Sequence, residues 1–213
     1  MDNNTTRDKR TSEHSESLSE TMKEFIEEVK AYLAGNLSSG RFKHTQGVAM
    51  TAKDMANTYG ANQEKAEIAG WLHDIAKEHK PKQLLEEAKT FKIKLDPVDI
   101  QSPHLLHARV GAKIAAKQFN IDDYEILDAI SQHTLGKPQM SLLEKILFIA
   151  DAIEPNRKAD WSEPIKTALD THGLNAAIIK CCENTIIDLA KQKKLIHPMT
   201  INTFNFYINA PDK

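Results

Sequence analysis

From Thr21 onward the apolar side chains return every three or four positions, and before the last dozen residues no stretch alternates every second one. That periodicity builds helices, because residues three and four apart share a helix face, whereas a half-buried strand needs a period of two. Met22, Phe25, Ile26, Val29, Tyr32 and Leu33 make one stripe, and Val48, Ala52, Met55 and Tyr59 make another. Punctuation agrees with the stripes. Thr21 with Glu24, Asp122 with Glu125, and Ser141 with Glu144 have capping-box spacing. Gly35 and Gly60 stand where helices end, Pro81 and Pro103 suit first turns, and Pro155 ends the helix before it. The pattern predicts helices over 21–35, 42–59, 62–77, from 81, over 103–119, before His133, after Ser141 and over about 174–192, with a loop near 92–99. The tail "TINTFNFYINA" fits either a helix or a strand. The expected fold is all-α, a single helical bundle over residues 21–210. Residues 1–20 lack apolar periodicity and read as a disordered polar N-terminal extension.

The chain has 213 residues, a net charge of -2 and a pI near 6.5. It is long enough for a buried core, and no basic field points to nucleic acid. No stretch approaches the roughly 18 apolar residues of a membrane span. The first residues carry no apolar core of a secretory signal. Cys181 and Cys182 are adjacent. A disulfide between neighbours is strained, so they read as reduced thiols in a helix. The expected setting is cytoplasmic.

His44, His73, His107 and His133 each fall within or at the end of a separate predicted helix, beside apolar residues. Asp74 follows His73 directly in "AGWLHDIAKE", and Asp151 is the acid of "ILFIADAIEPNR". A bare carboxylate in a helical core costs several kcal/mol unless it is paired or bound to a cation. Four imidazoles and two carboxylates among apolar residues share one economical explanation, a bound metal. Such ligands suit iron, manganese, cobalt, nickel or zinc, and the lack of a cysteine pattern argues against a structural zinc site. The other reading is a metal-free core of paired histidines and aspartates. Neighbours on a helix point about 100° apart, so His73 and Asp74 do not chelate as residues four apart do. A metal between them touches both, and the second oxygen of Asp74 reaches a second metal. Met50, Met55 and Met140 read as core packing.

The order His44, then His73-Asp74, then Asp151 resembles the signature of HD-domain metal-dependent phosphohydrolases, and His107 and His133 resemble the additional ligands of the dinuclear subset. The stretches "RFKHTQGVAMTAKDMA", "AGWLHDIAKE", "SPHLLHARVGA" and "AISQHTLGKPQMSLLEKILFIADAIEPNR" together resemble the YqeK family, the symmetrical bis(5′-nucleosyl)-tetraphosphatases. The similarity spans roughly residues 22–208.

The resemblance implies an all-helical HD fold with two divalent metal ions per chain, iron foremost, with manganese, cobalt or nickel also compatible. One ion is then held by His44, His73, Asp74 and Asp151, and the other by Asp74, His107 and His133, with Asp74 bridging. The implied reaction is symmetrical hydrolysis of diadenosine tetraphosphate, or a related dinucleoside polyphosphate, to two nucleoside diphosphates by a metal-bound hydroxide. In that reading Asp74, Lys77 and Arg157 act in catalysis, and Lys77, Thr134 and Arg157 bind phosphate. Lys77 is placed one turn after His73 on the same helix face. Arg41 and Arg109 are weaker phosphate candidates and read first as surface salt-bridge partners, Asp128 as either an acceptor for an imidazole or an exposed acid, and Glu154 as a partner of Arg157 or of a bound water. The family also implies a homodimer, with no nucleic acid or membrane partner. Another HD nucleotide phosphohydrolase, or a nucleotide-binding regulator with a slow metal site, would use the same ligands.

Overall fold

The computed structural model describes residues 5–209, with side chains described from Glu20 onward. Ten α-helices and one short 3-10 turn account for its regular structure, and no strand occurs among the described residues. In order they are α1 Thr5–Asn36, α2 Ser39–Tyr59, α3 Gln63–Leu72, α4 Pro81–Thr90, α5 Pro97–Gln101, the 3-10 turn Pro103–Leu106, α6 His107–Gln118, α7 Tyr124–Gln132, α8 Leu142–Ile153, α9 Ala159–Lys191 and α10 Pro198–Asn209. The all-α bundle expected from periodicity is the one observed. No helix among the described residues is long and apolar enough to cross a membrane.

α8 is the axis of the bundle. It packs against α2, α3, α7 and α9, and its Ile146, Leu147, Ile149 and Ala150 are fully buried. The Ser141–Glu144 capping box forms as expected, satisfying amides at the start of this helix. At the other end Glu154 leaves the helix with ψ 154°, the extended geometry imposed on a residue before proline. α2 and α3 approach closely because Gly70 has no Cβ: one placed there would stand 2.5 Å from Ala49 Cα. That contact sets His44 of α2 beside the end of α3.

Several boundaries differ from the sequence reading. α1 runs through Thr21, so Thr21 is interior to a helix rather than its cap. The disordered extension expected for residues 1–20 falls on residues of which 1–4, and the side chains through 19, lie outside those described. The N-cap of α7 is Asp123, one residue later than expected; its carboxylate accepts from the Glu125 amide. Asp96 and Asp99 build a capping box within the expected loop and start the short α5. The predicted helix 103–119 splits into the 3-10 turn and α6 at His107. α9 begins well before residue 174, and Gly173 breaks it into two segments with φ 81°. The left-handed region is open to glycine at little steric cost. The tail is helical, and its Tyr207 is buried and accepts from the Met140 amide at 3.0 Å. Met55 and Met140 are core residues, but Met50 is 61% exposed, because it lies on the outer face of α2.

Candidate metal centre

The helix predicted over 62–77 stops at Leu72, and His73–Lys77 form a tighter turn. Amides of Ile75 and Lys77 bond back three residues, to Leu72 and Asp74, in the 3-10 manner. His73 is thus the C-cap of α3, His107 follows the 3-10 turn, and His133 is the C-cap of α7. Helix ends leave carbonyls without intrahelical partners, and each histidine uses one. Nδ1–H of His73 donates to the Gly70 carbonyl at 2.7 Å, that of His107 to His104 at 2.5 Å, and that of His133 to Ile130 at 2.7 Å. Each carbonyl lies three residues back. His44, inside α2, instead places Nδ1 3.0 Å from Oε1 of the buried Glu154. All four rings therefore keep a lone pair on Nε2, the tautomer of a metal ligand with an outer acceptor behind it.

The Nε2 atoms converge on Asp74 in two sets. His44 and His73 face each other at 3.3 Å, and their Nε2 atoms stand 3.7 and 3.4 Å from Asp74 Oδ2. Asp151 Oδ1 closes this set, 3.1 Å from His44 and 3.8 Å from His73. On the other side His107 and His133 face each other at 3.2 Å, and lie 3.1 and 3.5 Å from Asp74 Oδ1. The six residues singled out from sequence are thus brought together, and Asp74 gives one oxygen to each set. Asp74 Oδ1 is buried without a hydrogen-bond partner.

This donor arrangement fits a divalent ion. Lone pairs opposed at 3.2–3.3 Å repel unless a cation lies between them, and metal–ligand bonds of about 2.1 Å put neighbouring ligands roughly 3 Å apart. Burial pushes the Asp74 carboxyl up, but the positive charge beside it, that of Lys77 included, outweighs this and holds the group well below the usual range. Burial also acts against ionisation of Asp151, and positive charge beside it, that of Arg157 included, overcomes it and holds the carboxyl well below the usual range. His107 is brought down to about 4 by burial, with the charge of Lys77 adding to that. Ionised carboxylates and a neutral imidazole are the protonation states that bind a metal.

Three cations surround the carboxylates. Lys77 Nζ is 3.1 Å from His107 Nε2 and 3.7 Å from Asp74 Oδ1. It reaches them from the 3-10 turn, paired with Asp74 three residues away rather than along a helix face shared with His73. Arg157 Nε donates to the Asp151 carbonyl at 2.7 Å while its NH2 group pairs with Oδ1 of the same residue. Arg41, expected at the surface, donates to Asp74 Oδ2 at 2.7 Å. The signal was available: Arg41 precedes His44 by three residues and shares its helix face. Thr134 Oγ1 lies 3.2 Å from His107 Nε2 and 3.1 Å from His133 Nε2. Arg109 belongs elsewhere, paired with the buried Asp99, and Asp128 is exposed on α7, away from the imidazoles. Glu154 braces His44 and accepts from the Asn156 amide at 2.7 Å. Gly47 makes this possible, because a Cβ there would lie 2.3 Å from Glu154 Oε2. Cys181 and Cys182 are free and buried in α9, as expected, and burial pushes both thiols up.

Comparisons with known proteins agree with this geometry. The HD domain family model matches residues 41–156, the span from Arg41 through Asp151. The symmetrical bis(5'-nucleosyl)-tetraphosphatase of Halalkalibacterium halodurans is 42% identical over 80% of this chain and 90% of its own. The protein of the same name from Bacillus subtilis is 38% identical over 86% of this chain and 98% of its own. A crystal structure from Clostridium acetobutylicum, described as an HD superfamily hydrolase involved in NAD metabolism, superimposes with a TM-score of 0.83. It is 38% identical over 86% of this chain and 96% of that one. HD domains bind divalent metal, and the two donor sets meet that requirement. The chain belongs to the HD domain family, among the symmetrical bis(5'-nucleosyl)-tetraphosphatases.

Proposed function

We propose that this chain hydrolyses diadenosine tetraphosphate, and related dinucleoside tetraphosphates, at the centre of the phosphate chain to give two nucleoside diphosphates. The observation that carries the reading is the sharing of Asp74 by two donor sets, with cations on both flanks. His44, His73, Asp151 and Asp74 would hold one divalent ion, and Asp74, His107 and His133 would hold the other, with iron first among the compatible metals. Ions bound there supply Lewis-acid stabilisation and lower the pKa of coordinated water.

The chain's own residues supply placement and charge. Lys77 reaches the His107 side of Asp74, and Arg157 reaches the Asp151 side. A tetraphosphate laid across the centre meets a cation on each side of its midpoint, which favours symmetrical cleavage. Arg41 adds a third positive group on the Asp74 Oδ2 side, and the Thr134 hydroxyl can donate to a phosphate oxygen. The departing nucleoside diphosphate is a weak base, so its leaving calls for charge neutralisation more than for a proton. Burial of His44, His73 and His107 keeps water away from the far side of the ligands. We further propose a homodimer acting in the cytoplasm.

The test is incubation of anaerobically metal-loaded protein with diadenosine tetraphosphate, the products being resolved by ion exchange. ADP as sole product is the expected result. ATP with AMP would place the cut off-centre and overturn the symmetrical assignment. Absence of any product from metal-loaded protein would move the reading to another nucleotide substrate or to a nucleotide-binding regulator.

A further inference from the structure

We propose that Trp161 is the nucleobase platform of this site, so that the two identical halves of the substrate are held in chemically different cavities. The proposal rests on the tetraphosphatase reading above. Two cavities open onto the metal centre and both are lined by Arg157. The first reaches His133, Thr134 and Asp151 on one side, and Trp161 and Phe148 on the other. The second is lined by side chains such as Ser38, Arg41, Glu78 and Asn156. Its one ring is the imidazole of His44, already turned toward Asp74 and Asp151, and among the described residues lining it there is no tryptophan, tyrosine, phenylalanine or aliphatic side chain.

A purine binds by covering its flat face, and stacking on an aromatic side chain is the commonest sequence-tolerant way to do so. The first cavity alone offers that surface. Trp161 sits in the first turn of α9 and is half-buried, so part of its indole remains open. Its backbone is tied to the second segment of α9 through Asn184, whose Nδ2 donates to the Trp161 carbonyl at 3.5 Å. Phe148 is buried at the back of the cavity, and the Thr185 side chain borders it. The other tryptophan, Trp71, is 3% exposed, packs on Phe42 and lines neither of the two cavities.

One nucleoside therefore stacks on Trp161, and its phosphates run past Lys77 to the centre, while Arg157, which lines both cavities, meets the other half. The other half is gripped through its phosphates in the polar cavity, and its base gains little. In the reaction the oxygen of water bonds to one inner phosphorus. The bond from that phosphorus to the central bridging oxygen breaks, its electron pair leaves on the departing diphosphate, and the protons of water go to solvent. Adenosine 5′-tetraphosphate, which lacks the second nucleoside, satisfies the same requirements and gives ADP and pyrophosphate.

The experiment measures kcat and KM of the metal-loaded protein for diadenosine tetraphosphate and adenosine 5′-tetraphosphate, and titrates tryptophan fluorescence with ADP. We expect the two substrates to have KM values within about threefold of each other. Trp161→Leu, which keeps bulk but removes the ring, should raise KM roughly tenfold or more, while Trp161→Phe stays near the wild type. ADP should quench the fluorescence of the wild type and of Trp71→Phe, but not of Trp161→Phe. A quench that survives in Trp161→Phe, or an unchanged KM in Trp161→Leu, would overturn the platform. A tenfold higher KM for the mononucleoside substrate would show that both bases are held. No turnover of diadenosine tetraphosphate by the wild type would sink the functional reading instead, and the ADP quench then decides the Trp161 assignment alone.

Discussion

Nε2 of His107 faces Nε2 of His133 at 3.2 Å, and the Nδ1 atoms of both rings are spent on carbonyls three residues back. Neither ring has a proton to offer the other. The pair is held together by packing and backbone bonds against its own repulsion, and Asp74 Oδ1 completes the set without a donor. His44 and His73 oppose each other in the same way around Asp74 Oδ2, but there Nδ1 of His44 is held by Glu154 and Oδ2 accepts from Arg41.

Asp74 should therefore matter to both ions, and Asp151 to one. Asp74→Asn keeps the volume but removes the shared charge, and its metal content should fall well below one ion per chain. Asp151→Asn should keep about one ion, held by His107, His133 and Asp74. Elemental analysis after gel filtration distinguishes the two, and an Asp74→Asn protein that retains two ions would refute the bridge.

Gly47 and Glu154 should behave as one unit. Gly47→Ala drives a methyl group against Glu154 Oε2, and relief of such overpacking costs about 1–3 kcal/mol. The displaced carboxylate releases His44, and loss of an outer acceptor typically lowers metal affinity about 10- to 100-fold. Glu154→Ala should show the same loss of affinity. The double variant should be scarcely worse than either single one, because both act through the same brace. Metal titration followed by calorimetry measures this, and full additivity would show two separate effects.

Lys77→Ala should keep both ions and lose turnover. Its ammonium group touches the ligands His107 and Asp74 from the open side rather than bracing them from behind. A fall in kcat/KM of about 10- to 100-fold corresponds to roughly 1.4–2.7 kcal/mol of transition-state stabilisation. Steady-state kinetics with metal analysis on the same sample checks it, and metal loss would make Lys77 a folding residue.

Stripping the metal should lower the melting temperature without unfolding the chain at room temperature. An ion present at about 100 times its Kd contributes about 2.7 kcal/mol, which is roughly 5–10 °C for a chain of this size. Calorimetry with and without chelator, followed by readdition, tests this. A melting point indifferent to metal would argue that the donor sets hold none.

Much of this was legible in the sequence, and the exceptions have common causes. Periodicity found the bundle because its helices bury one stripe each. It could not see that α3 stops at Leu72, since His73–Lys77 keep helical φ/ψ at His73 and only the bonding tightens. The six donor residues were found because histidines and aspartates among apolar residues are costly. Arg41 was ranked too low: its spacing from His44 was visible, but its pairing with Asp74, 33 positions away, leaves no local mark. Glu154 was associated with Arg157, its sequence neighbour, whereas the fold gives it to His44. Gly173 and the segment before it were missed because that stretch is amphipathic only weakly and carries Pro164.

The backbone braces behind His73, His107 and His133 have a consequence for the life of the protein. Each ring is posed by its own neighbourhood, through a bond that forms when its helix ends, and no ion takes part. The frame of donors is thus laid out by the chain itself, ahead of any ion it would hold. A centre posed this way would accept any compatible divalent ion without refolding, and which one it holds would then follow supply rather than the fold.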